Sequence, residues 1–384
     1  MAMPSPPEAG AHKLGAVVLA AGYSSRMVEF KPLLPFAGAT VAEATIGLFR
    51  RAGIGDVLAV LGHRAEELRP VAEKAGARTV LNPRYDEGMY SSVRAAAGAL
   101  TPGVDLWFVL PVDMPLVRAE TLHRLAHALQ SSAMRIAYPV FQGRRGHPPL
   151  IAREVLLEAL DPSFPGPLFA LLARHKDEAC EVPVADEGIH LDLDTREEYA
   201  RLYAMAPGRD IPTEAECEAL LSIYCVTPQI VAHSRAVADV ASELAAGLNQ
   251  RGLNLDLALV RVGGLLHDIA KGAADHANAG AALLRAMDFE RVAAITAFHT
   301  GAEALPAQID ETEVVFLADK IVRGASRVGI EERFRATPSR FEGNEEALAA
   351  AQRRQAKARA SAARVEARLG TPLNAYLRLG GNIE

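Results

Sequence analysis

The sequence predicts a mostly parallel α/β sheet domain with helices on both faces, followed by an all-α helical bundle. Three observations carry this expectation. From residue 14 to about 205, short continuous runs of Val, Leu and Ala alternate with helical patterns, the rhythm of parallel strands joined by crossover helices. Beyond residue 212 the strand pattern fades and long Ala- and Leu-rich helical segments take over. Between the two, Ala206-Pro207-Gly208-Arg209-Asp210-Ile211-Pro212 holds two prolines and a glycine, which breaks either periodicity. The expected organisation is a first domain over 13–205, a linker over 206–212 and a second domain over 213–375.

Strands are expected at 16–21, 56–62, 77–81, 105–110 and 136–141, with a later one at 181–185. The first five read as continuous apolar runs, as strands do when both faces of a sheet are covered. Helices are expected at 41–52, 64–74, 90–100 and 119–129, then at 154–160, 167–174 and 195–204. In the second half Thr213, with Glu216 three positions on, opens the first helix as a capping pair. The tail over 344–369 is dense in Ala, Arg and Glu at helical spacing and reads as an amphipathic helix with a solvated basic face. Residues 1–11 read as a disordered lead-in, and no internal repeat is visible.

Composition narrows the function. The 384 residues carry a net charge of -6, which excludes a wholesale polyanion binder, so any phosphate is expected to be bound locally and no nucleic-acid partner is expected. The longest apolar runs, 14–21 and 106–112, are far shorter than the roughly 20 residues of a bilayer-spanning helix, so no membrane association is expected. Cys180, Cys217 and Cys225 are odd in number and form no C-x-x-C pair, which argues against a disulfide framework or a thiolate zinc site. The cytoplasm is the expected compartment.

Two segments of the first half carry chemistry. Leu19-Ala20-Ala21-Gly22-Tyr23-Ser24-Ser25-Arg26 follows the first strand, and Lys31-Pro32-Leu33-Leu34 comes soon after. Small residues after a parallel strand let backbone N–H groups approach phosphates and a base closely. Arg26 would neutralise a triphosphate through a fork of donors and Lys31 as a point charge. Asp113, in Leu110-Pro111-Val112-Asp113-Met114-Pro115-Leu116, stands at the carboxyl end of a buried strand, where ligands of open α/β sheets sit and where a carboxylate suits magnesium. A helix or turn cap is the plain alternative for it.

These segments, with Asn82-Pro83, the run Glu87-Gly88-Met89-Tyr90-Ser91-Ser92-Val93-Arg94, Arg145-Gly146-His147-Pro148 and Leu191-Asp192-Leu193-Asp194-Thr195, resemble the molybdenum cofactor nucleotidyltransferases, specifically the cytidylyltransferase branch. The likeness covers about the first half of the chain and implies a Rossmann-like nucleotidyltransferase domain that joins the terminal phosphate of molybdopterin-type cofactor to the α-phosphate of CTP and releases pyrophosphate. Leu-Ala-Ala-Gly is the start of cytidylyl members and Leu-Ala-Gly-Gly that of guanylyl members, which favours CTP over GTP. The resemblance places Leu19, Ala20, Ala21, Gly22 and Gly88 at the nucleotide, Arg26 and Lys31 on phosphates, and Asp113 on Mg2+, with Asp192, favoured over Asp194, as a second contact. Ser91 and Ser92 lie either near the cytosine or ribose or at a helix cap; Gly146 and His147 face the acceptor, unless His147 is an exposed turn histidine. Asp194, ahead of Thr195, also reads as a helix cap. The chain departs from the family at Arg26-Met27-Val28-Glu29, where a glycine is common.

In the second half the informative residues are His233, His267-Asp268, His276, His299 and Asp319. A His-Asp dipeptide means little alone, but this one ends an apolar run at 259–266, and the others sit on separate helical patterns that a bundle can bring together. The order resembles the HD-domain metal-dependent phosphohydrolases over about 228–334, and His299-Thr300-Gly301 adds a likeness to the members that hydrolyse dinucleoside polyphosphates. By that resemblance His233, His267, Asp268 and Asp319 hold one metal, His276 and His299 complete a second beside a bridging Asp268, and Lys271 stabilises phosphate charge. Mixed N and O ligands suit Mn, Fe, Ni or Zn equally. His276 as a plain helix-surface residue and a purely nucleotide-sensing, regulatory domain stand as alternatives. For the first half the alternatives are a sugar-phosphate or other phosphorylated acceptor and a non-catalytic cofactor carrier; a molybdoenzyme of the hydroxylase type is the expected downstream partner.

Overall fold

A computed structural model describes residues 12–23, 27, 29–164, 166–301, 304–335 and 345–379. The lead-in at 1–11 and Arg26 lie outside the described residues. The chain divides into two compact units, Met1–Arg209 and Asp210–Glu384.

In the first unit, β1 (Leu14–Ala20) is followed by a short hairpin of β2 (Pro35–Phe36) and β3 (Ala39–Thr40), α1 (Val41–Arg51), β4 (Asp56–Leu61), α2 (Ala65–Lys74), β5 (Arg78–Leu81), α3 (Met89–Ala97), β6 (Leu106–Pro111) and α4 (Ala119–Gln130). Then come β7 (Ile136–Phe141), β8 (Arg144–Arg145), β9 (Leu150–Ala152), α5 (Arg153–Leu157), α6 (Leu168–Ala173), β10 (Ala179–Pro183) and α7 (Arg196–Met205). The sheet order is β10-β7-β9-β6-β1-β4-β5, with β8 paired to β7. β1 runs parallel to both β4 and β6, and its residues from Ala16 onward are almost wholly buried, which is why it reads as one apolar run. The sheet is mixed rather than wholly parallel: β9 lies antiparallel between β6 and β7. Its three residues show no period that a sequence could reveal, and pairing with β6 on one side and β7 on the other makes them a strand.

The segment 206–212 is structured where it closes the first unit. Arg209 donates to the carbonyl of Leu116 and to Asp186 Oδ1, each at 3.0 Å.

The second unit contains α8 (Glu214–Ile223), α9 (Pro228–Gln250), α10 (Leu257–Leu266), α11 (His276–Arg285), α12 (Glu290–Phe298) and α13 (Glu311–Lys320). Thr213 and Glu216 cap α8 reciprocally. A long helix, Glu345–Leu369, packs partly against α13, and its exposed positions carry most of its charge. The all-α expectation needs one correction, a two-stranded hairpin of β11 (Val322–Arg323) and β12 (Ser326–Arg327) after α13. The glycine pair in α10 sets its packing: a Cβ on Gly264 would lie 2.5 Å from Ala238 Cα, and one on Gly263 2.7 Å from Ile295. Only glycines let α10 approach α9 and α12 so closely.

Candidate functional sites

In the first unit a cavity of about 710 Å3 opens at the carboxyl ends of β1 and β6. Leu19, Ala20, Ala21 and Gly22 line it from β1 and the turn beyond, and the Ala21 carbonyl is anchored by the N–H of His63 at 3.1 Å. Gly88, Ser92, Lys31, Asp113, Gly146, His147, Asp192 and Asp194 line it as well. Ser91 is not among the lining residues; its hydroxyl donates to the Gly88 carbonyl. Asn82, to which the sequence reasoning gave no role, donates to both Ser91 Oγ at 2.8 Å and Ser92 Oγ at 3.1 Å, and so orients the start of α3. Asn82 itself follows β5, at the same sheet edge as Asp113.

The charged centre is built by long-range pinning. Lys31 is 7% exposed and donates to Asp194 Oδ1 at 2.7 Å, with Asp113 Oδ2 at 3.5 Å. The Leu193 N–H donates to the Asp113 carbonyl at 3.0 Å, which brings Asp192 and Asp194 beside Asp113. Beneath them Leu34, Leu116, Leu191 and Leu193 share one buried cluster. Each such leucine contributes on the order of 1.5–3 kcal/mol by burial. Asp186, 1% exposed, fastens the same segment by accepting from Arg118 N, Thr121 Oγ1, Gly188 N and Arg209. Asp194 is not the cap of α7: Thr195 and Glu198 form that capping box, which leaves Asp194 for Lys31.

Burial pushes the Asp113 carboxyl above the usual range and the Asp194 charge adds to this, while Lys31 opposes it. Asp192 is raised as well, by desolvation first and then by Asp194 and Asp113. Lys31 bridges Asp113 and Asp194, and Asp192 lies close enough to feel the charge of both carboxylates, a donor set that fits a divalent cation. Arg145, from the Arg145-Gly146-His147-Pro148 segment, also lines the cavity, as do Arg144 and His190, for which the sequence gave no signal. His147 is exposed on the cavity wall, as the turn alternative expected, and the partial desolvation it meets there lowers its pKa. Arg145 is committed to Glu181 at 2.7 Å and to the face of Tyr138. Tyr23 and Tyr85 form an aromatic lip, with ring centroids 5.2 Å apart.

In the second unit all six expected ligands converge. His267 and Asp268 follow α10, His233 lies in α9, His276 opens α11, His299 caps α12 and Asp319 stands in the last turn of α13. Donor atoms of His233, His267 and Asp268 lie within 4.8 Å of one another, as do those of Asp268, His276 and His299. Asp319 Oδ1 adds to the first group, 3.0 Å from His233 Nε2 and 3.9 Å from His267 Nε2. His276 is therefore not a plain surface residue: its Nε2 lies 3.4 Å from Asp268 Oδ1 and 3.2 Å from His299 Nε2.

The fit to a metal rests on the histidine orientations. His267 Nδ1 faces the Gly264 carbonyl at 2.8 Å, His233 Nδ1 that of Gly324 at 2.9 Å and His299 Nδ1 that of Thr296 at 2.5 Å. A carbonyl only accepts, so each Nδ1 carries the proton and each Nε2 is directed at the cluster, the usual outer support of metal-binding histidines. His267 Nε2 is buried and has no hydrogen-bond partner, and burial lowers the ring to about 4, so it presents a lone pair. Burial pushes the Asp268 carboxyl up, but His299, His267 and Lys271 outweigh it and hold the group below the usual range. The Lys271 ammonium is 3.1 Å from Asp268 Oδ2.

The two units thus present a sheet-edge cavity with a Lys–Asp centre and a buried His/Asp cluster that could hold a metal ion. Residues 16–179 match the family profile described as MobA-like NTP transferase domain, and 230–324 match the HD domain. The chain therefore carries a MobA-like NTP transferase domain in its first unit and an HD domain in its second. It is 27% identical to the molybdenum cofactor cytidylyltransferase of Escherichia coli over 188 residues, 48% of this chain and 93% of that protein. It is 40% identical to the bifunctional IPC transferase and DIPP synthase of Rubrobacter xylanophilus over 100 residues, 24% of this chain, and spans only 23% of that relative's length. A solved nucleotidyl transferase from Methanothermobacter is 24% identical, with a TM-score of 0.44, over 51% of this chain and 98% of its own. Among the described residues no helix is long and apolar enough to cross a membrane.

Proposed function

We propose that residues 13–205 transfer CMP from CTP to molybdopterin-type cofactor, and that residues 213–375, joined by 206–212, form a metal-dependent phosphohydrolase acting on a nucleotide or a phosphorylated cofactor. The observation that carries the first activity is the Lys31–Asp113–Asp194 centre in the cavity beyond β1, together with the Leu-Ala-Ala-Gly turn and the likeness to a protein named as a cytidylyltransferase. An oxygen of the acceptor's terminal phosphate attacks the α-phosphorus of CTP, and the bond to the β-phosphate breaks as pyrophosphate leaves. The protein's share is positioning and charge neutralisation. Gly22 and Gly88 bring backbone against the nucleotide, Lys31 meets the phosphates, a role the sequence gives to Arg26 as well, and Ser92 lies against the sugar or base. Asp113 and Asp192 would hold Mg2+, which supplies charge to the triphosphate. Gly146 and His147 bound the acceptor side.

In the second unit His233, His267, Asp268 and Asp319 would hold one divalent metal, with His276 and His299 beside Asp268 for another. Such metals activate water and polarise phosphate oxygens. Lys271 would hold the phosphate charge, and the three Nδ1–carbonyl contacts keep the imidazoles aimed inward.

The decisive experiment is transfer from α-labelled CTP and GTP onto molybdenum cofactor with magnesium, followed by a panel of phosphorylated sugars and alcohols. CTP-selective transfer to the cofactor supports the reading; transfer only to another acceptor moves the chain to a different substrate class. His267→Ala should abolish hydrolysis and leave transfer intact; loss of both would refute separate sites.

A further inference from the structure

Lys320 is one of the few lysines in this protein that are buried, at 8% exposure, and it directly follows a metal-ligand candidate. Its ammonium donates to Asp319 Oδ2 and, at 3.0 Å, to the main-chain carbonyl of His299, with the Phe316 ring face 5.1 Å away. Lysine is rarely buried without a partner because desolvating its charge is costly, so both contacts are needed to keep it there. The two contacts reach different parts of the cluster. Asp319 Oδ1 faces His233 and His267, whereas the ring of His299 places Nε2 3.3 Å from Asp268 Oδ1.

We propose that Lys320 is a positioning residue that ties the two half-sites of the second unit together. By holding Oδ2 it leaves Asp319 a single oxygen for the first half-site. By holding the His299 carbonyl, at the residue that caps α12, it fixes the main chain from which the second half-site's imidazole projects. A cation at either half-site then meets ligands that one ammonium has already aligned, so its removal weakens both, although it touches no ligand atom of the second group's side chains. This rests on the reading of the cluster as a divalent-metal centre.

The test uses the full chain, stripped with a chelator and titrated with Mn2+ while the free ion is followed by electron paramagnetic resonance. Lys320→Met and Lys320→Gln should each weaken Mn2+ binding at both half-sites by about tenfold or more, the usual effect of losing an outer-shell partner, and Lys320→Arg should recover most of the loss. His276→Ala, as reference, should weaken the second half-site alone. If Lys320→Met does not unfold cooperatively, Lys320→Gln decides, since it retains an amide donor of shorter reach. Wild-type affinity at either half-site in a folded Met or Gln variant overturns the coupling, as does a loss that Lys320→Arg fails to recover. A wild-type chain that binds a single Mn2+ also overturns it. A wild-type chain that binds no Mn2+ defeats the metal reading itself, and this inference with it.

Discussion

Asp113→Asn separates a catalytic role from a structural one because the two predict opposite balances of stability and activity. Asp113 is half-buried, with Lys31 Nζ 3.5 Å from Oδ2, and burial raises its pKa in the folded state. An acid whose folded pKa lies above its unfolded value binds more protons when folded, so its contribution to stability falls as pH rises through that window and stays unfavourable above it. A neutral amide removes this penalty and loses one long hydrogen bond, worth about 0.5–1.5 kcal/mol. The two effects oppose, so the net change at neutral pH should stay within about 1 kcal/mol, or roughly 2–4 °C in Tm for a unit of this size. Transfer should suffer far more, since removing one preorganised electrostatic group from such a centre costs about 10²–10³ in rate, equivalent to about 2.7–4 kcal/mol in the transition state. Cytidylyl transfer from labelled CTP and thermal unfolding, measured on one preparation, give both numbers. A variant that transfers at the wild-type rate, or one destabilised by more than about 3 kcal/mol, would refute the assignment and leave Asp113 a structural residue.

Three further outcomes follow from the same geometry. Asp186→Ala strips four donors of a buried carboxylate, and should cost about 3–5 kcal/mol in a urea midpoint while lowering transfer, because the segment it fastens carries Asp192 and Asp194; an unchanged midpoint contradicts that bracing role. Burial depresses the His175 ring, but Glu178 at 3.0 Å and Glu158 at 2.9 Å outweigh it and raise the pKa. Its stabilisation is therefore full below the ordinary histidine pKa and lost as pH rises through the raised value, so His175→Gln should flatten the fall of Tm with pH above about 6.5, and parallel profiles for variant and wild type would argue against it. Returning Mn2+ or Zn2+ to chelated protein should raise the stability of the second unit by about 2.7 kcal/mol at a hundredfold excess over Kd, and His267→Ala should abolish that gain; persistence of the gain in the variant points to binding elsewhere.

Much of the fold and many of the chemical residues were legible because they depend on local pattern. The apolar runs of β1, β4 and β6 follow from burial on both faces, and Asp113 and the 19–22 turn are marked by their position at strand ends. The His and Asp residues of the second unit stood out because such groups are seldom placed in apolar helices without a partner. What stayed hidden depends on pairing across the chain. The antiparallel β9 is too short to show a period. Arg26, which the sequence assigns to phosphate, lies outside the described residues.

Lys31 and Asp194 are 163 residues apart, so nothing local distinguishes Asp194 from a helix cap until Leu193 is pinned to the Asp113 carbonyl. Lys320 reads as an ordinary charged residue at a helix end until α12 brings the His299 carbonyl against it. The sequence alone therefore determined the long helices and central strands and which chemical groups are available, because periodicity, turns and strand ends are set by neighbouring residues. Tertiary structure decided which of those groups share a centre, because a charge or an imidazole acquires its role only from partners that packing of distant segments brings within hydrogen-bond reach.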